Sequence, residues 1–201
     1  MIKDVDEGLT DVENSLNTVT VMANALEYYL IEGEIYRTVV SPVAHGYERF
    51  TMSAGELLAL LHDLDAQHNQ LLQEQRRRIN ELQSKVQTIT QRFSGRYCQL
   101  LEREIISRLD SLNCFLNDCQ DDMKKCRELY RSEIRNRQRI EEILQAWGQE
   151  IPVSVSDRVE RMDERVRRLT ENVPFIWAEE QENRFPQDPY WYLYELPKVP
   201  A

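Results

Sequence analysis

Proline is absent between Ser53 and Gly148, and glycine occurs only six times in the 201-residue chain. A stretch of that length without proline excludes a protein built from many short strands and turns, and it permits long helices. Apolar runs are short as well. None approaches the roughly 18 residues of a membrane span, and Met1-Ile2-Lys3-Asp4-Val5-Asp6-Glu7 lacks the basic flank and apolar core of a secretory leader, so the expected location is cytoplasmic.

Histidine is also scarce. His45, His62 and His68 are the only three, and His62-Asp63-Leu64-Asp65-Ala66-Gln67-His68 is the nearest approach to a metal constellation. A di-metal helical bundle needs Glu-x-x-His from two helices together with further inward glutamates, and no such repeat occurs. GxSxG, a phosphate loop, GxGxxG and HExxH are missing too. No cofactor, small-molecule substrate or catalytic residue is therefore expected, and a metal-binding helical-bundle enzyme using His62, Asp65 or His68 ranks third among the functional readings.

Basic residues are outnumbered, 25 against 35 acidic, for a net charge of -10. That balance disfavours long-range attraction to nucleic acid or to an anionic membrane. The deficit is uneven. Met1 to Met52 carries 3 basic and 9 acidic residues, while Ser53 to Ile151 carries 15 and 16.

Four cysteines are present, and Cys98, Cys119 and Cys126 fall on the apolar face of a helical stretch. On a continuous helix Cys119 and Cys126 stand two turns apart, about 10 Å, too far to bridge. The expectation is buried, reduced thiols that behave as small hydrophobes.

What the chain has in quantity is apolar residues at helical spacing, within 41% hydrophobic and 30% charged residues overall. Thr10-Asp11-Val12-Glu13 has the spacing of a capping box, and Leu9, Val12, Leu16, Val19, Ala23, Leu26 and Leu30 follow at steps of three and four. This predicts an acidic N-terminal helix within residues 1–33, with Tyr28 and Tyr29 flanking its stripe. Residues 34–52 are β-branched and aromatic around Pro42-Val43-Ala44-His45-Gly46, the pattern of a β-hairpin. Two strands alone are marginal in water, so the hairpin must lie on helices, exchange with a second subunit or accept a partner strand.

Ser53-Ala54-Gly55-Glu56 is a second capping box. It opens a seam of Leu57, Leu61, Leu64, His68, Leu72, Gln75, Ile79, Leu82, Val86, Ile89 and Phe93, which continues through Tyr97, Leu101, Ile105, Leu109, Leu112, Leu116, Cys119, Met123, Cys126, Tyr130 and Ile134. As one rod this would be about 140 Å long, more than a monomer can cover. The preferred reading of residues 53–151 is therefore an antiparallel helical hairpin or coiled coil turning at Ser94-Gly95, with a further break near the short polar side chains of residues 117–122. Residues 152–174 form a short helix through Val155, Val159, Met162, Val166, Leu169 and Val173 to Pro174. Residues 175–201 read as an extended aromatic tail with four prolines. The fold class is mostly α, with a small β-hairpin and this tail, as one cooperative domain.

Two features suit a binding surface. Arg127, Arg131, Arg135 and Arg139, spaced by four, run along one side of a helix, with Lys124, Lys125 and Arg137 nearby. Tyr190, Trp191, Tyr192 and Tyr194 concentrate aromatics of the kind that anchor interfaces, although the same residues could strap across the bundle and complete its core. Arg76-Arg77-Arg78 points in three directions, since consecutive helical residues are about 100° apart. Arg158, Arg161, Arg165, Arg167 and Arg168 alternate with acids and read as a salt-bridged surface. The expected function is a non-enzymatic protein–protein interaction module, an adaptor, scaffold or regulatory subunit that associates with itself or a protein partner. The alternative is a small helical subunit of a nucleic-acid-handling complex, with the arginine stripe on phosphate.

Overall fold

A computed structural model describes the backbone of residues 3–43 and 46–198 and the side chains of residues 12–41 and 46–198. Ala44 and His45, and the side chains of Leu9, Thr10 and the first acidic residues, lie outside the described residues. The structure is mostly α-helical, and its contacts divide it into two compact units, one reaching Leu101 and the other starting at Glu102. Among the described residues no helix is long and apolar enough to cross a membrane.

The first unit begins with α1 (Lys3–Glu32), which starts seven residues before the expected Thr10 cap and ends at Gly33, whose φ of 70° suits glycine. The predicted stripe is buried from Val12 to Leu30, and Met22 and Tyr29 extend the covered face. Strands β1 (Arg37–Val43) and β2 (Gly46–Met52) form the expected antiparallel hairpin, with Val39 opposite Phe50 and Val40 opposite Arg49. The hairpin lies on α1. Tyr29 fixes this corner, because its buried hydroxyl donates to the Ile35 carbonyl at 2.8 Å and accepts from the Ala54 N–H at 3.2 Å.

Helix α2 (Ala54–Ala66) is capped by Ser53, whose Oγ accepts from the Glu56 N–H at 3.1 Å. The predicted seam does not then run unbroken. The chain makes a 3-10 turn at His68–Gln70 and restarts as α3 (Gln73–Arg92), capped by the Gln75 side chain accepting from the Leu72 N–H at 3.0 Å. This interruption buries Leu71 and leaves Leu72 exposed, reversing the seam assignment there.

The expected reversal at Ser94-Gly95 is absent. Only Phe93 separates α3 from α4 (Ser94–Asp118), and helical hydrogen bonds cross it, from Phe93 N–H to Ile89 O at 3.0 Å and from Tyr97 N–H to Phe93 O at 2.9 Å. Glycine at this position is tolerated inside a helix rather than ending one. The face of α3 is covered by α1 instead. Arg78 donates to Glu13, Asn17 and Thr20, Arg92 pairs with Glu27, and Arg96 donates to the Ile31 carbonyl, so α1 and α3 run parallel. The three consecutive arginines do point three ways. Arg76 caps the Leu71 carbonyl and Arg77 pairs with Glu74 and Glu81, while Arg78 crosses to α1.

The second unit holds the rest of α4, then α5 (Met123–Glu133), α6 (Arg135–Ala146) and α7 (Val153–Leu169). The break near residues 117–122 forms as expected, with Asp122 capping α5 through its side chain to the Lys125 N–H at 3.0 Å. It also overturns the reduced-thiol expectation. Because the chain turns between Asp118 and Met123, the Cα atoms of Cys119 and Cys126 come within 4.9 Å and the two sulfurs are bonded. Cys98 and Cys114 are not disulfide-bonded.

Helix α7 stops at Leu169, five residues before Pro174. Its continuation is recruited into β3 (Thr170–Asn172), which pairs antiparallel with β4 (Glu195–Pro197) in the tail. The tail between them winds through short turns at Glu179–Arg184, Gln187–Tyr190 and Trp191–Tyr194.

Candidate interaction surfaces

The arginine stripe is largely engaged within the second unit. Arg127 Nη1 donates to Glu171 at 2.8 Å and to the Pro197 carbonyl at 2.6 Å, which ties α5 to both strands of the small sheet. Arg135 lies over the Trp177 ring at 5.2 Å, and Trp177 Nε1 donates to the Arg131 carbonyl at 3.0 Å. Arg139 bonds to Gln138. The Arg131 side chain, with Lys124 and Lys125, stays exposed. Arg137, expected to extend this basic surface, is instead buried.

The tail is a strap. Tyr190 and Tyr192 are buried, together with Ile176, Phe185, Leu193 and Leu196, while Trp191 and Tyr194 are half-buried. Its rings meet edge to face, Trp177 with Phe185 and Phe185 with Tyr190 at 5.2 Å each. Tyr194 closes the loop by donating to the Phe185 carbonyl at 3.0 Å, and Arg167 of α7 lies 3.9 Å over the Trp191 ring. Stripe and tail, two separate features of the sequence, thus meet each other.

Beneath the strap α6 carries a polar network into the core. Arg137 donates to both oxygens of Asp163 at 2.7 and 2.9 Å and to Glu141 at 3.0 Å, with the Tyr192 ring 4.9 Å from its guanidinium carbon. Burial works against that charge. The Asp163 hydrogen bonds and charge outweigh it and hold the Arg137 pKa above the ordinary arginine value. Tyr190 donates to Glu142 at 3.0 Å, and burial followed by the Glu142 charge raises its pKa. Burial does the same to Tyr130 and Tyr192. The Tyr192 hydroxyl is itself buried with no hydrogen-bond partner among the described residues. A second buried pair, Glu104 with Arg108 at 2.8 Å, is joined to α6 through Asn136 at 3.1 Å.

The signal for this network was present in the sequence. Ile134, Arg137, Glu141 and Gln145 continue the apolar seam at steps of three and four, so charged residues occupy core-facing positions.

Arg158, Arg161, Arg167 and Arg168 of α7 are exposed as expected, but the salt-bridged reading of this helix needs correcting. Arg168 does pair with Glu164, but Asp163 points inward to Arg137, Arg167 stacks on Trp191, and Arg165 bonds to Asn113 and Asn117.

In the first unit the hairpin leaves apolar surface open. Its register puts Val40, Tyr47 and Arg49 on the face opposite Val39 and Met52. Val40 is 48% and Tyr47 81% exposed, and Tyr28, Ile31 and Tyr36 are exposed nearby in sequence on the supporting helix and the strand entry.

Among the described residues no three His, Cys, Asp or Glu side chains converge as metal ligands. His62 and Asp65 lie on α2 and His68 on the turn after it, where Asp65 accepts from Gln83 at 3.3 Å. No family model, no curated protein and no solved structure matches this chain.

Proposed function

We propose that this chain is a non-enzymatic helical protein–protein interaction module, an adaptor, scaffold or regulatory subunit, and that the outward face of its β-hairpin meets the partner. The observation that carries the reading is the exposure of Val40 and Tyr47 on that face. A two-stranded hairpin with one apolar side on α1 and a second left to water is incomplete in the way an interface is. The stripe and tail contribute indirectly. Arg127 and Arg135, with Tyr190 and Tyr192, are engaged in holding the second unit together, which leaves Arg131, Lys124 and Lys125 as the exposed cations of the stripe.

For location we propose the cytoplasm, and the Cys119–Cys126 bond is the observation against it, since such bonds are rare there. Trapping thiols by rapid alkylation in the producing cells decides the matter. Blocked Cys119 and Cys126 support the cytoplasm, and an intact bond removes it.

The interaction reading is tested by placing a photo-crosslinking amino acid at position 47 and, separately, at position 131. A discrete adduct of higher mass is expected from position 47. No adduct from position 47, with one from position 131, would move the interface to the arginine side.

A further inference from the structure

The second unit contains a cleft of about 330 Å³ between α4 and α7, lined by Leu109, Asp110 and Asn113 on one side and by Arg158, Arg161, Met162 and Arg165 on the other. The three arginines stand at steps of three and four along α7 and so share one face. They are not equivalent. Arg165 is half-buried and held in place by the side-chain carbonyls of Asn113 and Asn117, neither of which neutralises it. Arg158 and Arg161 are exposed, and neither has a hydrogen bond or ion pair among the described residues.

Asp110 is the one acid in the lining, so three positive charges face one negative, an excess of two. This excess sits in a chain with a net charge of -10, where unpaired guanidiniums have acids available elsewhere and are not using them. We propose that the cleft binds a phosphate monoester. Such a group carries about -1.5 to -2 at neutral pH with three acceptor oxygens, which matches the excess charge and the two free forks of Arg158 and Arg161 better than a single carboxylate. The nearly buried Leu109 and Met162 form an apolar floor for the first carbons of the ester, and Asp110 can accept from a neighbouring hydroxyl or amide. The volume is at the small end of ligand clefts, which suits a phosphorylated side chain or a small sugar phosphate rather than a dinucleotide.

The full chain is titrated calorimetrically with an acetylated, amidated phosphoserine tripeptide and with glucose 6-phosphate, using the unphosphorylated tripeptide and glucose as controls. At least one phosphorylated probe should saturate with a Kd of about 1 mM or below. Whichever binds more tightly identifies the source of the phosphate as protein or metabolite, and equal binding assigns recognition to the phosphate alone. Replacing both free arginines, Arg158→Ala with Arg161→Ala, should weaken binding about tenfold or more. Arg168→Ala, outside the cleft and paired to Glu164, should leave it unchanged. Because Arg158 and Arg161 are exposed, the double variant should keep the wild-type melting curve. Should it not, Arg158→Lys with Arg161→Lys, which keeps charge and loses the fork, is read in its place and should weaken binding by a smaller factor. The proposal is overturned if neither phosphorylated probe saturates by about 10 mM, if affinity survives in the arginine variants, or if Arg168→Ala weakens it equally.

Discussion

Replacing Asp163 by asparagine removes the main counter-charge of Arg137 at nearly constant shape. Arg137 is 4% and Asp163 8% exposed, and two hydrogen bonds at 2.7 and 2.9 Å join them, so the variant leaves a guanidinium in the core with only Glu141 at 3.0 Å to balance it. Removing one member of a buried pair costs about 3–5 kcal/mol, and the surviving Glu141 contact puts the expected loss near ~3 kcal/mol. With a urea dependence of about 2 kcal/mol per molar for a unit of this size, the midpoint should fall by about 1.5 M. The assay is selective. Trp147, Trp177 and Trp191 all lie in the second unit, so tryptophan fluorescence follows its unfolding without reporting the first. Adding Arg137→Met removes the stranded charge, and the double variant should be more stable than the sum of the two single losses by about 2 kcal/mol. A shift below about 0.3 M for Asp163→Asn, or strictly additive losses in the cycle, would show that the pair does not anchor α6 to α7.

Three further outcomes follow from the same core. Tyr192→Phe deletes a buried hydroxyl without a partner while keeping the ring over Arg137, and should leave stability unchanged or raise it by about 1 kcal/mol, whereas Tyr190→Phe, which loses the Glu142 hydrogen bond, should cost about 1–2 kcal/mol in the same urea assay. Burial raises the pKa values of Tyr130, Tyr190 and Tyr192 above the usual 10.0, so the folded state prefers the neutral phenols. Their contribution is complete below about pH 10 and is lost as pH rises from there toward the folded values, as the unfolded chain ionises first. Melting temperature should thus hold steady up to about pH 10 and then fall, and tyrosinate absorbance should show Tyr130, Tyr190 and Tyr192 ionising only with unfolding. Cys119→Ser with Cys126→Ser opens a short loop at the α4–α5 turn and should lower stability by about 2 kcal/mol, and a reductant should have the same effect on the wild type and none on the variant.

Helix faces were the most legible part of this molecule in sequence, because burial imposes the spacing directly. The α1 stripe from Val12 and most of the long seam are buried where expected, and both hairpin strands fall inside residues 34–52. Breaks were legible only where side chains compete for the backbone, as Asp122 does. Gln67 to Gln70 interrupt a helix with no proline or glycine, and the clue was that the seam turns polar at His68 and Gln75. The disulfide was hidden by the assumption that Cys119 and Cys126 share one helix, since a two-turn separation becomes a contact once the chain reverses between them. Strand β3 was read as helix because Thr170-Glu171-Asn172 has little character of its own and is ordered by residues 195–197.

Whether the arginine stripe meets an internal or a protein partner was not legible, for a related reason. Four arginines spaced by four do share a helix side, but spacing does not say whether that side faces water or another segment of the same chain. Here Trp177, Glu171 and the Pro197 carbonyl occupy Arg135 and Arg127. Arg137 and Asp163 were assigned to the surface because charge usually marks it, and a pair that is mutually satisfied can go inside.

The hairpin face is the proposed place where this chain meets another. Sedimentation velocity on the assembly isolated from producing cells tests it, comparing the wild type with Val40→Asp/Tyr47→Asp and with Arg131→Glu. The prediction is that the wild type and Arg131→Glu sediment faster than a single chain, while the hairpin variant sediments as a single chain with its melting curve intact. An assembly that survives the hairpin change and dissolves with Arg131→Glu would contradict the account.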